Sequence, residues 1–162
     1  MAELPFFEYR HIVCFEETNF VGNAYFAHYI RWQGHCRELF IRERAPTLLG
    51  QLSSGLALVT VRCACEYFSE LLPFDDVSIR MSLGAIDRNR LLLRFEYVRL
   101  SGPNPGLVAS GEQEVACMRR DKRGLAPTPV PAQLLTALKP YLAAGATGPN
   151  AIRPADTRPV GA

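Results

Sequence analysis

The longest apolar pattern in the chain predicts one amphipathic helix over residues 24–45. Apolar side chains recur there at every third or fourth position, the spacing that gathers them on one helix face. No proline interrupts the run, and Pro46 ends it. A helix of about 20 residues spans roughly 30 Å, enough to cross a small domain. The stripe predicted to face the core consists of Tyr25, Tyr29, Trp32, Cys36, Leu39 and Phe40.

After residue 55 the period of the apolar positions changes to strict alternation, which is typical of half-buried strands. The alternation predicts long strands over residues 56–69, 77–86, 90–100 and 107–120. A mixture of aromatic and β-branched residues over 6–15 predicts a further strand before the helix. In the strand over 56–69 one face is predicted to carry Ala57, Val59, Val61, Cys63, Cys65 and Tyr67.

One strand, a long central helix and four antiparallel strands predict an α+β domain, with the helix on one face of a five-stranded sheet. The domain is assigned to residues 1–144, and the Gly-, Pro- and Ala-rich residues 145–162 are predicted to be a flexible tail. Residues 46–55 are predicted to connect helix and sheet through at most a short helical turn. A proline-rich loop is predicted over 121–131, and a short terminal helix over 131–144.

The composition is that of an ordinary globular domain, with 48% hydrophobic and 21% charged residues. The 18 basic and 16 acidic residues balance too closely to indicate a nucleic-acid partner. No apolar run approaches the ~20 residues that a membrane helix needs, and the first residues do not resemble a secretory signal. Five cysteines, an odd number in apolar surroundings, indicate reduced thiols in a cytoplasmic protein.

The sequence indicates no metal site and no cofactor. His11, His28 and His35 do not have the spacing of metal ligands, and no phosphate-binding or dinucleotide glycine pattern occurs. Cys36 is a poor candidate nucleophile because it lies on the apolar stripe of the helix.

The junction between the first strand and the helix is the best candidate for chemistry. The first turn of a helix has backbone N–H groups without intrahelical acceptors, and its dipole is positive there. The N–H groups of residues 21–24 are therefore predicted to hold an oxyanion, and Gly22 lets a ligand approach the backbone. The amide of Asn19 can orient water or donate to an oxygen. The alternative for Asn19 is a helix N-cap or a turn residue.

At these positions the sequence resembles a known family. Residues 15–25 read Phe-Glu-Glu-Thr-Asn-Phe-Val-Gly-Asn-Ala-Tyr, and Tyr29, Trp32 and Arg37 follow. This pattern resembles the signature of hot-dog fold acyl thioesterases of the 4-hydroxybenzoyl-CoA type, and the resemblance extends over about residues 7–120, including the turn at 70–77. The family carries an aspartate where Asn19 stands here.

The amide at position 19 cannot be a carboxylate nucleophile or a general base. With Asn19 the motif is more similar to the thioesterases of enediyne polyketide biosynthesis. That resemblance implies hydrolysis of a polyene β-ketoacyl thioester on the acyl carrier protein domain of an iterative polyketide synthase, often with decarboxylation. It also implies a homodimer or a dimer of dimers, in which Asn19 and Arg37 are the important side chains.

Arg37 is predicted to hold the β-keto oxygen or a product carboxylate, since its guanidinium is always charged and has a rigid set of donors. The alternative is a salt bridge, with Glu38 or with Asp76 of a second copy. Glu16, Glu17 and Glu38, the nearby carboxylates, are predicted to be solvated. The residues predicted to bind substrate are Val21, Gly22, Asn23, Tyr25, Tyr29 and Phe68. For the three aromatic residues among them, the alternative is packing in the core.

Two other functions remain open from the sequence: an acyl-CoA thioesterase of primary metabolism, and a hot-dog domain that binds an acyl chain without catalysis.

The long strand over 56–69 is predicted to pair with its symmetry mate in a C2 dimer, because an unprotected edge of that length favours aggregation.

Overall fold

The computed structural model describes residues 5–144, and the tail predicted at 145–162 lies outside this range. Within it the chain forms six strands, three α-helices and two short 3₁₀ turns. The strands are β1 (Phe7–Ile12), β2 (Leu56–Tyr67), β3 (Asp76–Asp87), β4 (Arg90–Arg99), β5 (Gly106–Asp121) and β6 (Gly124–Pro127). The helices are α1 (Phe26–Arg44), α2 (Leu48–Ser53) and α3 (Ala132–Leu138).

The predicted α+β order of one strand, a long helix and a run of antiparallel strands is confirmed. The sheet has the order β1-β3-β4-β5-β2, and neighbouring strands are antiparallel. β1 and β2 are therefore its two edges. Within the described residues the outer edge of β2 has no strand partner, although β2 is 12 residues long.

The predicted loop over residues 121–131 contains a sixth strand, so the prediction of five strands is wrong. β4 covers β5 only as far as Ala116, and β6 pairs with Met118–Asp121 beyond that point. A tight turn joins β5 to β6, and Gly124 has φ +120°, a value that favours glycine. The alternating pattern missed this hairpin because β6 is only 4 residues long and exposed throughout.

A bulge at Val61 inverts the faces of β2. Thr60 pairs with Val115 of β5, the next paired residue is Arg62, and Val61 has no counterpart. One extra residue moves every later side chain to the opposite face of a sheet. Thr60 and, after the bulge, Cys63 consequently both face α1. The six residues Ala57, Val59, Val61, Cys63, Cys65 and Tyr67 were predicted to share one face, and this prediction is wrong. Cys63, Cys65 and Tyr67 lie on the face towards α1, whereas Ala57 and Val59, before the bulge, lie on the opposite face.

Helix α1 contacts β1, β2, β3 and β5 and buries most of its predicted stripe. Tyr29, Trp32, Cys36 and Phe40 are each 3% exposed or less. Leu39 is half-buried against the same core. Tyr25 is 45% exposed, so its place in the stripe was wrong: α1 begins only at Phe26, and Tyr25 is the N-cap.

A polar contact ties α1 to β2 inside the domain. Gln33 is completely buried, and its Nε2 donates to the carbonyl of Ala64 at 3.1 Å. A Cβ atom on Gly111 of β5 would lie 2.2 Å from that Nε2, so only glycine leaves room for the amide. This contact fixes α1 beside the open edge of the sheet.

Candidate functional site

Asn19 lies in a tight turn within the loop that joins β1 to α1. Its Oδ1 accepts a hydrogen bond from the Val21 N–H at 3.0 Å, and its carbonyl accepts one from the Gly22 N–H at 3.0 Å. Its own N–H donates to the carbonyl of Asn23 at 2.9 Å. Gly22 has φ +93°, which side chains other than glycine rarely adopt. Asn19 is thus a turn residue and not the helix N-cap, and its Nδ2 donates to none of the residues described.

The backbone donors predicted over residues 21–24 are mostly used within the protein. Val21 and Gly22 donate to Asn19, and the Ala24 N–H donates to a carbonyl in the β2–β3 turn at 2.8 Å. The prediction of free oxyanion donors is wrong for these three positions. Over residues 21–28, at the junction itself, the N–H groups without an acceptor are those of Asn23 and of Phe26 and Ala27 in the first turn of α1.

An open cleft of about 330 Å³ lies between this loop, the start of α1 and the end of β2. Four predicted site residues meet in it, namely Asn19, Asn23, Tyr29 and Phe68. Of the other four, Val21, Gly22 and Tyr25 are exposed and do not line it, and Arg37 does not line it either. The complete lining is Asn19, Asn23, Ala24, Phe26, Tyr29, Tyr67, Phe68, Ser69 and Glu70.

The cleft contains a carboxylate that the sequence analysis missed. Glu70 lies just after β2, and its Oε1 accepts a hydrogen bond from Asn23 Nδ2 at 2.9 Å. The Oδ1 atom of Asn23 is buried and has no partner within the described residues. Glu70 is 47 positions from Asn23, so no local spacing pointed to the pair. Its only signal was that it begins the turn at 70–77 that resembles the family.

Tyr29 forms the inner wall of the cleft and also belongs to the core. It is 3% exposed, and its ring centroid lies 4.9 Å from that of Tyr67 in an edge-on arrangement. Its carbonyl accepts a hydrogen bond from the Tyr97 hydroxyl at 2.7 Å. Burial raises the pKa of Tyr29 and of Tyr97 well above the ordinary value. Both phenols therefore remain protonated donors at neutral pH.

Arg37 lies apart from the cleft within one chain. It is 11 positions beyond the first residue of α1, which corresponds to about 16 Å along the helix axis. Its Nη1 donates to Thr60 Oγ1 of β2 at 3.0 Å and to Gln113 Oε1 of β5 at 2.7 Å. Burial lowers the pKa of Arg37 from its ordinary value, although Glu38 opposes the shift.

The predicted alternative for Arg37, a salt bridge to Glu38, is not formed. The ion pairs within residues 5–144 do not include Arg37. Asp76, the other acid considered for Arg37, pairs with Arg10 of its own chain. The Arg37 guanidinium is therefore half-buried, and the groups that it contacts, Thr60 and Gln113, are neutral. It faces the open edge of β2.

Glu17 is buried, so the prediction that it is solvated is wrong. The residue is 7% exposed, and its carboxylate is hydrogen-bonded to His11, to Trp32 and to the backbone of Cys14. Glu16 and Glu38 are exposed, as predicted. The partners of Glu17 lie up to 15 positions away, so the local pattern gave no signal of its burial.

The thiols in residues 5–144 are free. Cys36 is completely buried and its burial raises its pKa, which makes the thiol inert. In the same residues no group of three or more His, Cys, Asp or Glu side chains is placed to hold a metal ion. No helix of the described part of the chain has the length and apolar character needed to cross a membrane.

Comparison with known proteins identifies the family. The model of the thioesterase-like superfamily matches residues 13–138 of the chain. This range includes the Asn19 loop, α1 and the whole of β2 to β6. Comparison with curated protein sequences gives no significant match.

Solved structures of thioesterases are similar to this chain. The dynemicin thioesterase is 49% identical, over 86% of this chain and 99% of that one, with a TM-score of 0.83. A 1,4-dihydroxy-2-naphthoyl-CoA thioesterase from Synechocystis is 18% identical over 83% and 96%, with a TM-score of 0.73. The 4-hydroxybenzoyl-CoA thioesterase from Pseudomonas sp. strain CBS-3 is 18% identical over 80% and 96%, with a TM-score of 0.66.

The two similarities at 18% identity establish the fold alone. Together with the family match and the relative at 49% identity, they confirm the hot-dog fold and the thioesterase resemblance that residues 15–37 indicated. The chain therefore belongs to the thioesterase-like superfamily and is a hot-dog fold thioester hydrolase.

Proposed function

We propose that this thioesterase acts in enediyne polyketide biosynthesis, on a polyene β-ketoacyl thioester held by the acyl carrier protein domain of an iterative polyketide synthase. The observation that carries the proposal is the 49% identity, over 86% of the chain, to a dynemicin thioesterase that binds a polyene. The cleft supports it, because the aromatic rings of Phe26, Tyr29, Tyr67 and Phe68 suit a flat conjugated chain.

In the proposed reaction water attacks the thioester carbonyl, the C–S bond breaks, and the pantetheine sulfur leaves as a thiol. The developing oxyanion accepts hydrogen bonds from Asn19 Nδ2 and from the free N–H groups of Phe26 and Ala27 at the positive end of α1. The product is a β-keto acid, which loses CO₂ to give a methyl ketone. Glu70 and Asn23 form the polar wall of the cleft from which water attacks.

The proposed site needs a second copy of the chain, because Arg37 is remote from Asn19 within one copy. Its guanidinium contacts Thr60 on the open edge of β2, and the cleft of the same chain begins at Tyr67 on the same edge. If two β2 strands pair antiparallel about an axis near Cys63, Thr60 of one copy lies close to Tyr67 of the other. Each Arg37 then reaches the cleft of the second copy, where it binds the β-keto oxygen or the product carboxylate.

We expect the protein to form a C2 dimer through β2. Val59 and Val61 on this edge are 36% and 48% exposed, and pairing would cover them. Val59→Lys is expected to weaken the dimer, whereas Leu125→Lys on the exposed β6 should not. Light scattering at micromolar concentration measures the mass, and a wild-type monomer would contradict this assembly. A dimer-of-dimers would appear as a tetramer whose dissociation passes through the dimer.

The substrate is tested by comparing one β-ketoacyl group on three carriers: a carrier protein, CoA and N-acetylcysteamine. We expect kcat/KM to be roughly tenfold or more higher on the carrier protein, because remote contacts of the carrier contribute binding energy. Mass spectrometry identifies the acid and the methyl ketone. Equal or faster turnover of the CoA thioester would favour an acyl-CoA thioesterase. Acyl binding without turnover of any of the three would favour a non-catalytic domain.

We also propose a cytoplasmic location, where such a synthase and its carrier domain would meet the thioesterase. The free thiols of Cys14 and Cys63, both exposed, support a reducing compartment.

A further inference from the structure

A buried carboxylate joins three parts of the fold beside the Asn19 loop. Glu17 Oε1 accepts a hydrogen bond from Trp32 Nε1 at 2.9 Å, and Oε2 accepts one from the Cys14 N–H at 2.8 Å. The Nε2 atom of His11 lies 2.9 and 2.8 Å from the two oxygens. His11 belongs to β1, Cys14 follows β1, and Trp32 lies in α1. One side chain therefore links the edge strand, the loop and the helix.

The charge of Glu17 fixes the direction of these hydrogen bonds. Burial raises the pKa of the carboxyl, but the hydrogen bonds from Cys14, His11 and Trp32 together outweigh burial and hold the pKa below its ordinary value. An ionised carboxylate can only accept, so His11 Nε2 must donate to it. In a neutral ring His11 Nδ1 is then an acceptor, and the Tyr9 hydroxyl donates to it at 3.2 Å.

The backbone of Glu17 holds the other end of the same loop. Its carbonyl accepts a hydrogen bond from the N–H of Tyr25, the N-cap of α1, at 2.8 Å. Thr18 and Ala24, the next pair inward, form a β-bridge. Glu17 therefore closes the loop at its base, and Asn19 lies two positions beyond the anchored carboxylate.

Glu17 is not placed to take a proton in the cleft. It does not line the cleft, and both of its oxygens are already occupied by donors. A general base needs to lie within hydrogen-bond reach of the proton that it removes. Any contribution of Glu17 to the reaction must therefore be exerted through a group that does reach the cleft.

We propose that Glu17 is a positioning residue of the thioesterase site: its carboxylate fixes the Asn19 loop against α1 and so holds the Asn19 amide in the cleft. This inference rests on the proposed function, in which Asn19 Nδ2 donates to the oxyanion. Positioning matters for such a donor, because a displacement of about 1 Å can cost on the order of 10²-fold in rate.

Glu17→Gln tests the inference in the full-length protein. Glutamine keeps the size but directs an amide N–H at a group that is itself a donor, so the network cannot remain intact. With a β-ketoacyl N-acetylcysteamine thioester we expect kcat to fall roughly tenfold or more while KM stays within about twofold. Glu16→Gln, an exposed neighbour in the same turn, is the matched control and should retain wild-type kcat.

A double-mutant cycle with Asn19→Ala separates positioning from general destabilisation. Because Glu17 acts through Asn19, adding Glu17→Gln to Asn19→Ala should lower kcat by less than about twofold. If the fold losses in kcat of the two single variants multiply in the double variant, or if Glu17→Gln changes KM alone, the inference is overturned. The proposed role of Asn19 would be unaffected by either result. Wild-type kcat in Asn19→Ala by itself would overturn the proposed site, and the inference with it, so the two failures are distinguishable.

Trp32 gives a readout that does not depend on turnover. It is the single tryptophan of the chain, so its fluorescence reports directly on the hydrogen bond to Glu17. Emission should change in Glu17→Gln and remain as in wild type in Glu16→Gln, and unchanged emission in Glu17→Gln would count against the network.

If Glu17→Gln does not fold, His11→Phe is the second variant. Phenylalanine keeps an aromatic ring beside Trp32, whose ring centroid lies 4.9 Å away, but removes the donor to the carboxylate. We expect a smaller loss of kcat that is again not additive with Asn19→Ala. Wild-type kcat in a folded His11→Phe protein would overturn the inference.

Discussion

Replacing Arg37 with methionine is expected to abolish product release while the dimer persists. Methionine retains the length of the stem and its packing but removes the charge and all donors. Loss of one positioned donor in a site typically costs on the order of 10²-fold in rate, and Arg37 also supplies the charge that would bind a product carboxylate. The measurement is single-turnover release of the β-keto acid together with light scattering.

The surroundings of Arg37 make this substitution informative. In one chain the guanidinium contacts only neutral oxygens, those of Thr60 and Gln113, and its charge is half-buried without an ion-pair partner among the described residues. An isolated charge in such a place does not stabilise the fold. The substitution leaves the Oε1 of Gln113, which is 3% exposed, without its donor, so we expect the free energy of unfolding to fall by about 1–3 kcal/mol.

Arg42→Met is the matched control for Arg37→Met. Arg42 lies on the same helix, its side chain is 66% exposed, and it pairs with the adjacent Glu43 at 3.3 Å. Exposed pairs of this kind contribute little, so activity and stability should remain near wild type. Retained activity in Arg37→Met, or loss of the dimer, would refute a direct role and make Arg37 a structural residue of the β2 edge.

Asn19→Ala is expected to lower turnover roughly tenfold or more without unfolding the protein. Alanine removes the Nδ2 donor that we place at the oxyanion, and it also removes the Oδ1 acceptor of the Val21 N–H. Steady-state kcat and thermal unfolding should be measured on the same preparation. Wild-type turnover would leave Asn19 with its role in the turn alone.

Asn19→Asp distinguishes the two functions of the amide. Aspartate keeps an oxygen for the Val21 N–H, so the turn should survive, but at neutral pH it cannot donate. We expect the loop to stay folded and the activity to fall as in Asn19→Ala. Full activity in Asn19→Asp would contradict the donor role and would show that a carboxylate, as in the family pattern, serves at this position.

Much of the fold could be predicted because it is encoded locally. The helical stripe from Tyr29 to Phe40 and the alternation of β4 depend on residues a few positions apart, and both are buried as predicted. The site was predicted less well. Asn19, Asn23, Tyr29 and Phe68 share one cleft as expected. Of the N–H groups predicted to be free over residues 21–24, only that of Asn23 is free, because the loop before α1 uses the others itself, and the further free donors belong to Phe26 and Ala27.

The residues that the sequence analysis missed owe their roles to distant partners. Glu70 reaches the cleft because β2 ends beside the Asn19 loop, and Glu17 is buried because α1 brings Trp32 over it. Neither contact follows from a local pattern, since hydrogen-bond partners 15 or 47 positions apart become neighbours only in the folded chain.

The sequence by itself determined the element order, the long helix and the thioesterase motif, because periodicity and spacing are properties of neighbouring residues. The tertiary structure alone decided which face of β2 meets α1, since the bulge at Val61 arises from pairing with β5. It also decided that Arg37 lies at the open sheet edge, away from Asn19. Asn19 and Arg37 belong to the same sequence motif, but the length and direction of α1 keep them apart within one chain.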